Sequence, residues 1–246
     1  MKGKMKIKVL MLAIAAFVSL VSLTSVSCIR LAGLQGSGNV VSEERSVSGF
    51  NAVAVSSGMN LYLRQGDTEY CKLETDDNII SQIVTEVKNE KLVIEYKNFL
   101  GGISTRKPVN VYVTVKNLNE VSASSGSRVE SELINSNSLE INMGSGSNGE
   151  FIVSTRSLDV GLSSGSQLEV SGETQSQNVD LSSGVTYNAE DLTSMNAELD
   201  VSSGAQAKIM VSDSLDVDIS SGGSVEYSGS PQVTSNISSG GSLKNN

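Results

Sequence analysis

The stretch Asn178-Val179-Asp180-Leu181-Ser182-Ser183-Gly184 returns as Glu198-Leu199-Asp200-Val201-Ser202-Ser203-Gly204, and again as Asp216-Val217-Asp218-Ile219-Ser220-Ser221-Gly222. In each, apolar residues stand five and three positions before the glycine with polar residues around them. This is the period of two of a strand with one buried face. Working outward, a Ser-Ser-Gly corner or a close variant ends at Gly126, Gly146, Gly165, Gly184, Gly204, Gly222 and Gly240, at intervals of 20, 19, 19, 20, 18 and 18 residues. Thirteen of the fourteen positions five and three before these glycines are apolar; Ser235 is the exception. A second alternation follows each corner, as in Leu168/Val170, Tyr187/Ala189, Ala207/Ile209 and Val225/Tyr227. Each unit thus supplies at least two short strands joined where glycine permits a sharp bend. One unit cannot bury its apolar face alone, so successive units must stack.

Eighteen to twenty residues suit one turn of a parallel β-solenoid, an all-β fold, and six intervals at about 4.8 Å per coil give a rod of roughly 29 Å. A β-sandwich also repeats strands and turns, but its turns differ from one another, whereas this corner returns seven times in one phase. The hexapeptide repeat of a left-handed helix and the Gly-Gly-x-Gly-x-Asp calcium repeat are both absent from the sequence.

The N-terminal half is less regular. Ser56-Ser57-Gly58, with Val53 and Val55 before it and Leu61 and Leu63 after it, reads as a first coil. Residues 67–116 then break the period. Asp76-Asp77-Asn78 is expected to cap a short helical turn over Ile79, Ile80, Ile83 and Val84. Val87 and Leu92/Ile94/Tyr96 around Asn89-Glu90 predict a hairpin, and Val109/Val111/Val113/Val115 a strand. The interruption is expected to cap the solenoid's N-terminal end. Residues 49–246 are therefore read as one solenoid domain, with 49–117 irregular and 118–246 regular.

Ahead of this domain, Lys2, Lys4, Lys6 and Lys8 precede an apolar run from Val9 to Val18 that is too short for a comfortable span, so residues 1–27 read as a cleaved export signal. Ser25-Val26-Ser27-Cys28 resembles a bacterial lipobox, with Ser25 where leucine is usual, and Cys28 is the expected lipidation site. Residues 28–48 are read as a tether from that anchor. The expected location is the cell envelope, most naturally the outer membrane. Ile29-Arg30-Leu31-Ala32-Gly33 carries no acidic cluster of the kind tied to surface export, which leaves the periplasmic side open. Cys71, in an alternating stretch, is expected to be a buried inert thiol, and there is no disulfide framework.

Phrases in the irregular half carry a resemblance. Gly49-Phe50-Asn51-Ala52-Val53, Leu61-Tyr62-Leu63-Arg64-Gln65-Gly66-Asp67, Glu86-Val87, Leu92-Val93-Ile94 and the serial Ser-Gly corners resemble the auto-transporter adhesin, head GIN domain family, over about residues 38–240. The resemblance implies a right-handed parallel β-helix, often on a Bacteroidetes lipoprotein, and brings no catalytic residues. No C-terminal run of membrane strands follows the repeats, so self-translocation is not expected of this chain.

The sequence has no histidine and no tryptophan, which removes the commonest general base and the usual Ser/His and Cys/His pairs. No cofactor is expected. Residues 28–117 carry ten basic and ten acidic side chains, whereas 118–246 carry four and seventeen, a net charge of −13 that disfavours nucleic acid. Stacking places Asp180, Asp200 and Asp218 in one row, with Glu198 and Asp216 beside it. That row is a candidate weak Ca²⁺ ladder, set against a plain solvated acidic face. β-helix polysaccharide lyases and hydrolases use paired carboxylates, yet sugar-stacking aromatics are scarce, and Tyr187 and Tyr227 fall in the buried phase. A non-enzymatic adhesin-like module binding a protein or glycan is the expectation. The alternative is an assembly subunit, a weak end-to-end homodimer through the last coil, where Ser235 and Asn236 leave a neutral edge beside Ile237 and Lys244.

Overall fold

The computed structural model describes residues 33–97 and 102–246; Cys28 and the export signal lie outside these residues. The N-terminal part contains β1 (Leu34–Gln35), β2 (Val40–Arg45), β3 (Ala52–Val55), β4 (Asn60–Gln65) and β5 (Tyr70–Asp76). A 3₁₀ turn, Ile80–Gln82, leads to β6 (Ile83–Lys88), β7 (Lys91–Tyr96), β8 (Ile103–Ser104) and β9 (Asn110–Val115). The repeats form β10 (Glu120–Ala123), β11 (Arg128–Met143), β12 (Asn148–Leu162), β13 (Gln167–Leu181) and β14 (Thr186–Val201). They continue through β15 (Gln206–Ile219), β16 (Ser224–Ser228), β17 (Gln232–Ile237) and β18 (Ser242–Asn245).

From β10 onward each strand pairs in parallel with its equivalent one coil away, so the expected parallel β-solenoid is the fold. One file of inward side chains runs Val53, Val121, Ile141, Val160, Val179, Leu199 and Val217, all buried and in register. Each such side chain contributes about 1.5–3 kcal/mol by leaving water. The file ends at Ser235, which is exposed. Coil lengths differ, and the excess is absorbed by bulges after the corner, at Glu130/Leu133, Glu169/Gly172 and Ala189/Thr193, leaving the inward file in phase.

At each corner the second serine and the glycine both have positive φ, for example Ser164 at 53° and Gly165 at 74°. With Ser166 N–H donating to the Ser163 carbonyl at 3.3 Å, the corner has the form of a type I′ turn. A left-handed serine is unfavourable alone. Here the coil-to-coil bonds hold it, with Gly146, Gly165 and Gly184 N–H donating to the carbonyls of Ser164, Ser183 and Ser203.

The first coil, β3 and β4, lies directly against the coil of β10 and the start of β11, although 67–116 intervenes in sequence. The interruption folds back over the opposite side of that coil, with β7 on β3 and β9 on β4. It therefore covers the side of the first coil that faces away from the repeats. The β6–β7 hairpin turns at Asn89 and Glu90, with φ of 50° and 60°.

Two expectations need correction. Residues 34–45 are not a free tether: β2 pairs antiparallel with β5, and β1 pairs with β8. The register puts Val41 on the core side, where it packs, so burial and a free strand edge on β5 together draw this segment in. Nor does Asp76 cap the 3₁₀ turn, whose first residue has no side-chain cap. The buried Asp76 carboxylate instead accepts from Gly38 N–H at 2.7 Å and Arg106 N–H at 2.9 Å, while Asp77 accepts from Ser37 Oγ at 2.6 Å. These two side chains tie the entering segment and the β8–β9 loop to the cap.

Candidate functional site

Outward-facing positions of neighbouring strands align as strictly as the core does. One such file reads Val93, Ala54, Ser122, Asn142, Gly161, Asp180, Asp200, Asp218 and Asn236. Its small residues leave a groove of about 630 Å³ that runs from Glu95 on the cap to Asp180 and Asp200. The three aspartates stand in adjacent coils, whose strands are spaced about 4.8 Å along the stacking direction, and Glu198 is paired with Asp216 in the neighbouring file. Partial burial, then the charges of Asp180 and Asp218, push the Asp200 carboxyl up from its ordinary value. Among the described residues no three His, Cys, Asp or Glu side chains converge closely enough to hold a metal ion. At the cap end, Lys91 Nζ reaches past Ala52 to Glu120, and this pair holds the Glu120 carboxyl low against the opposing effect of burial.

A second feature lies on the face made by β5, β9, β4 and β11. Lys72, Tyr112, Tyr62 and Glu130 form one outward file, with Tyr70, Thr114 and Arg64 in the next. Between the files lies a hollow of about 440 Å³. The rings of Tyr62 and Tyr112 stack with centroids 5.1 Å apart and planes 17° apart, and Lys72 Nζ sits 4.6 Å from the Tyr112 centroid. Arg64 Nε donates to Thr114 Oγ1 at 2.9 Å, and Tyr70 donates its hydroxyl to Glu44 at 2.9 Å. Burial and that hydrogen bond raise the Tyr70 pKa, and the nearby Arg64 opposes them. Glu130 is held by Arg128 Nε at 2.7 Å, whereas Glu132 on the rim is exposed. The hollow is thus a preformed concavity with aromatic walls and a few fixed polar groups, the general form of a ligand site.

Sequence reading missed this hollow. Its residues come from four segments, 62–64, 70–72, 112–114 and 130–132, and each shows only an outward polar or aromatic residue in an alternating strand. The signal lay in the phase: Tyr62, Tyr70 and Tyr112 all fall out of step with their buried neighbours. Tyr187, by contrast, is fully buried and donates to Gln177 Oε1 at 2.9 Å inside the coil stack. Cys71 is buried as expected, and burial pushes its thiol up to about 12, which leaves it unreactive.

The fold and these faces define a class, a parallel β-solenoid capped by a folded-back insertion. The chain belongs to the family described as "Putative auto-transporter adhesin, head GIN domain", whose sequence profile matches residues 49–231. A "putative adhesin" from Bacteroides fragilis has the same fold, with a TM-score of 0.81 and 20% identity over 87% of this chain and 100% of that one. A "putative lipid binding protein" from Parabacteroides distasonis gives 0.74 and 20% over 87% and 99%. A "putative adhesin" from Parabacteroides merdae gives 0.70 and 17% over the same shares. No curated protein matches the chain.

Proposed function

We propose that the protein is a non-enzymatic, adhesin-like binding module, exported and lipid-anchored to the bacterial cell envelope through Cys28, which engages a protein or glycan with its lateral faces. Family membership and adhesin-named structural neighbours support the adhesin-like part. The observation that carries the reading is the hollow around Tyr62 and Tyr112, where stacked rings and fixed polar groups meet in one concavity. The chain has no histidine, the commonest base for activating a nucleophile, which supports the non-enzymatic reading. A net charge of −13 over residues 118–246 argues against nucleic acid as the partner. No described helix is long and apolar enough to cross a membrane, and Cys28 is the attachment point in this reading.

Cells producing the full chain should attach to mucin-coated or bacterial surfaces better than cells producing a folded Tyr62→Ser/Tyr112→Ser variant. Equal attachment would sink the reading. Cys28→Ala should move the protein from the detergent-extracted membrane fraction into the soluble one, and a wild-type chain found only as soluble protein would remove the anchor.

A second reading, assembly through the last coil, rests on Val233 and Ile237, which face inward in register yet are 39% and 44% exposed. An open edge of this kind invites pairing. Light scattering of the full chain in detergent should then show a concentration-dependent dimer that Ile237→Lys abolishes.

A further inference from the structure

We infer that the hollow between Tyr62, Tyr112 and Arg64 is a binding site for a saccharide that bears a carboxylate, a uronic or sialic acid unit. This inference rests on the binding-module reading and names its ligand class.

The walls decide the first half. β4, β9 and β5 are each hydrogen-bonded on both sides, β4 to β9 and β11, β9 to β4 and β5, and β5 to β9 and β2. An incoming peptide therefore finds no free edge to extend as a strand. What the hollow offers are ring surfaces and edges, the Ser131 hydroxyl and the Glu132 carboxylate, a mixture that suits a ring with apolar C–H faces and hydroxyls around its rim.

The charges decide the second half. Six of the described cations, Arg45, Lys88, Lys91, Arg128, Lys208 and Lys244, have a carboxylate within 4 Å, whereas the two that line the hollow, Arg64 and Lys72, have none among the described residues. Arg64 is held through Nε on the buried Thr114, which leaves its two terminal nitrogens free to bond a ligand. Lys72 is held over Tyr112 on the other side. Of the two carboxylates lining the hollow, Glu130 is paired with Arg128, and Glu132 stands on the exposed rim. A carboxylate entering the hollow would meet two cations already fixed in place, so little side-chain entropy is lost on binding. A neutral sugar would leave both without a counter-charge.

Calorimetry on the detergent-solubilised full chain tests this with a hyaluronan hexasaccharide and its carboxyl-reduced form, and with sialyllactose against lactose. At least one acidic saccharide should bind about tenfold more tightly than its neutral counterpart, and Arg64→Gln or Lys72→Gln should each remove a similar factor. The acid that gains identifies uronic or sialic recognition. Tyr62→Ala/Tyr112→Ala should abolish binding, with an unchanged melting curve for the two charge variants as the folding control. Equal binding of acidic and neutral forms, no binding of any saccharide, or preference for a poly-glutamate peptide would overturn the ligand class. None of these touches the attachment assay, so the broader reading fails only if the Tyr62→Ser/Tyr112→Ser cells attach like wild type.

Discussion

From β11 to β15 every strand has the same neighbour, its own equivalent one coil away, whereas between residues 34 and 116 neighbours come from anywhere. There β2 pairs antiparallel with β5, β5 with β9, and β9 runs parallel to β4. Both regions bury alternate residues in their central strands, although β2 stays largely exposed and β9 buries Val113, Thr114 and Val115 in a row. What differs is how position is enforced: repetition does it in the coils, and individual polar ties such as Asp76 do it in the cap. Repetition also aligns like charges, as at Asp180, Asp200 and Asp218, while the cap gathers unlike residues into a hollow. A repeated surface is uniform; a singular one can be specific.

The largest effect should come from testing how rigid the repetition is. Gly172 has φ of 109°, and a Cβ there would lie 2.1 Å from the Val153 carbonyl oxygen. Gly184, at a corner with φ of 70°, has nothing within 4 Å of that position. Gly172→Ala should cost about 3 kcal/mol or more, roughly 6–12 °C in Tm, against about 1 kcal/mol for Gly184→Ala. A scanning calorimetry result with equal losses would show that coils slide to make room.

Acid should separate the two regions. Burial raises the Asp76 carboxyl, but the N–H groups of Arg106, Gly38 and Lys107 outweigh it and hold it below its ordinary value, and bonds from Asn39 and Ser37 hold Asp77 low as well. A carboxylate depressed in the folded state stabilises above its unfolded pKa, about 4, and that contribution is lost as pH falls through the folded value. Asp200 is shifted the other way, so its coils gain as pH falls through its raised folded pKa. Hydrogen exchange below pH 4 should therefore speed up in β1 and β2 while β13–β15 stay protected, and Asp76→Asn should reproduce that pattern at pH 7. Uniform exchange across both regions would mean that cap and coils open together.

The smallest effect concerns the aspartate file. Asp200→Asn should raise stability by about 0.5 kcal/mol, roughly 1–2 °C, by relieving exposed like-charge repulsion. If the file is the weak calcium ladder, millimolar calcium should produce a rise of the same sign that the triple Asn variant at 180, 200 and 218 lacks. A calcium shift that survives in that variant would place the ion elsewhere.

The sequence made the coils legible because their order is local: the corner, the two apolar positions before it and their period all lie within twenty residues. The aspartate file followed from that period alone. The cap was legible only in pieces. The β6–β7 hairpin and β9 showed in their own alternation, but the pairing of β2 with β5 spans thirty or so residues and left 34–45 looking like a tether. Asp76 looked like a helix cap because its partners, Gly38 and Arg106, are far away in sequence. The tyrosine hollow needed four strands in register before it existed at all.

Mechanical load gives the stacked corners a further meaning. In this fold the backbone hydrogen bonds between coils, including those from each corner glycine to the next corner's serine carbonyl, point along the rod. Tension applied between the two ends therefore loads the rungs in series, and the weakest rung yields first. Force across the rod meets many rungs side by side. A protein held at one end and gripped on its flank near Tyr62 would carry most of the strain through the first coil and the cap, leaving the far coils unstressed.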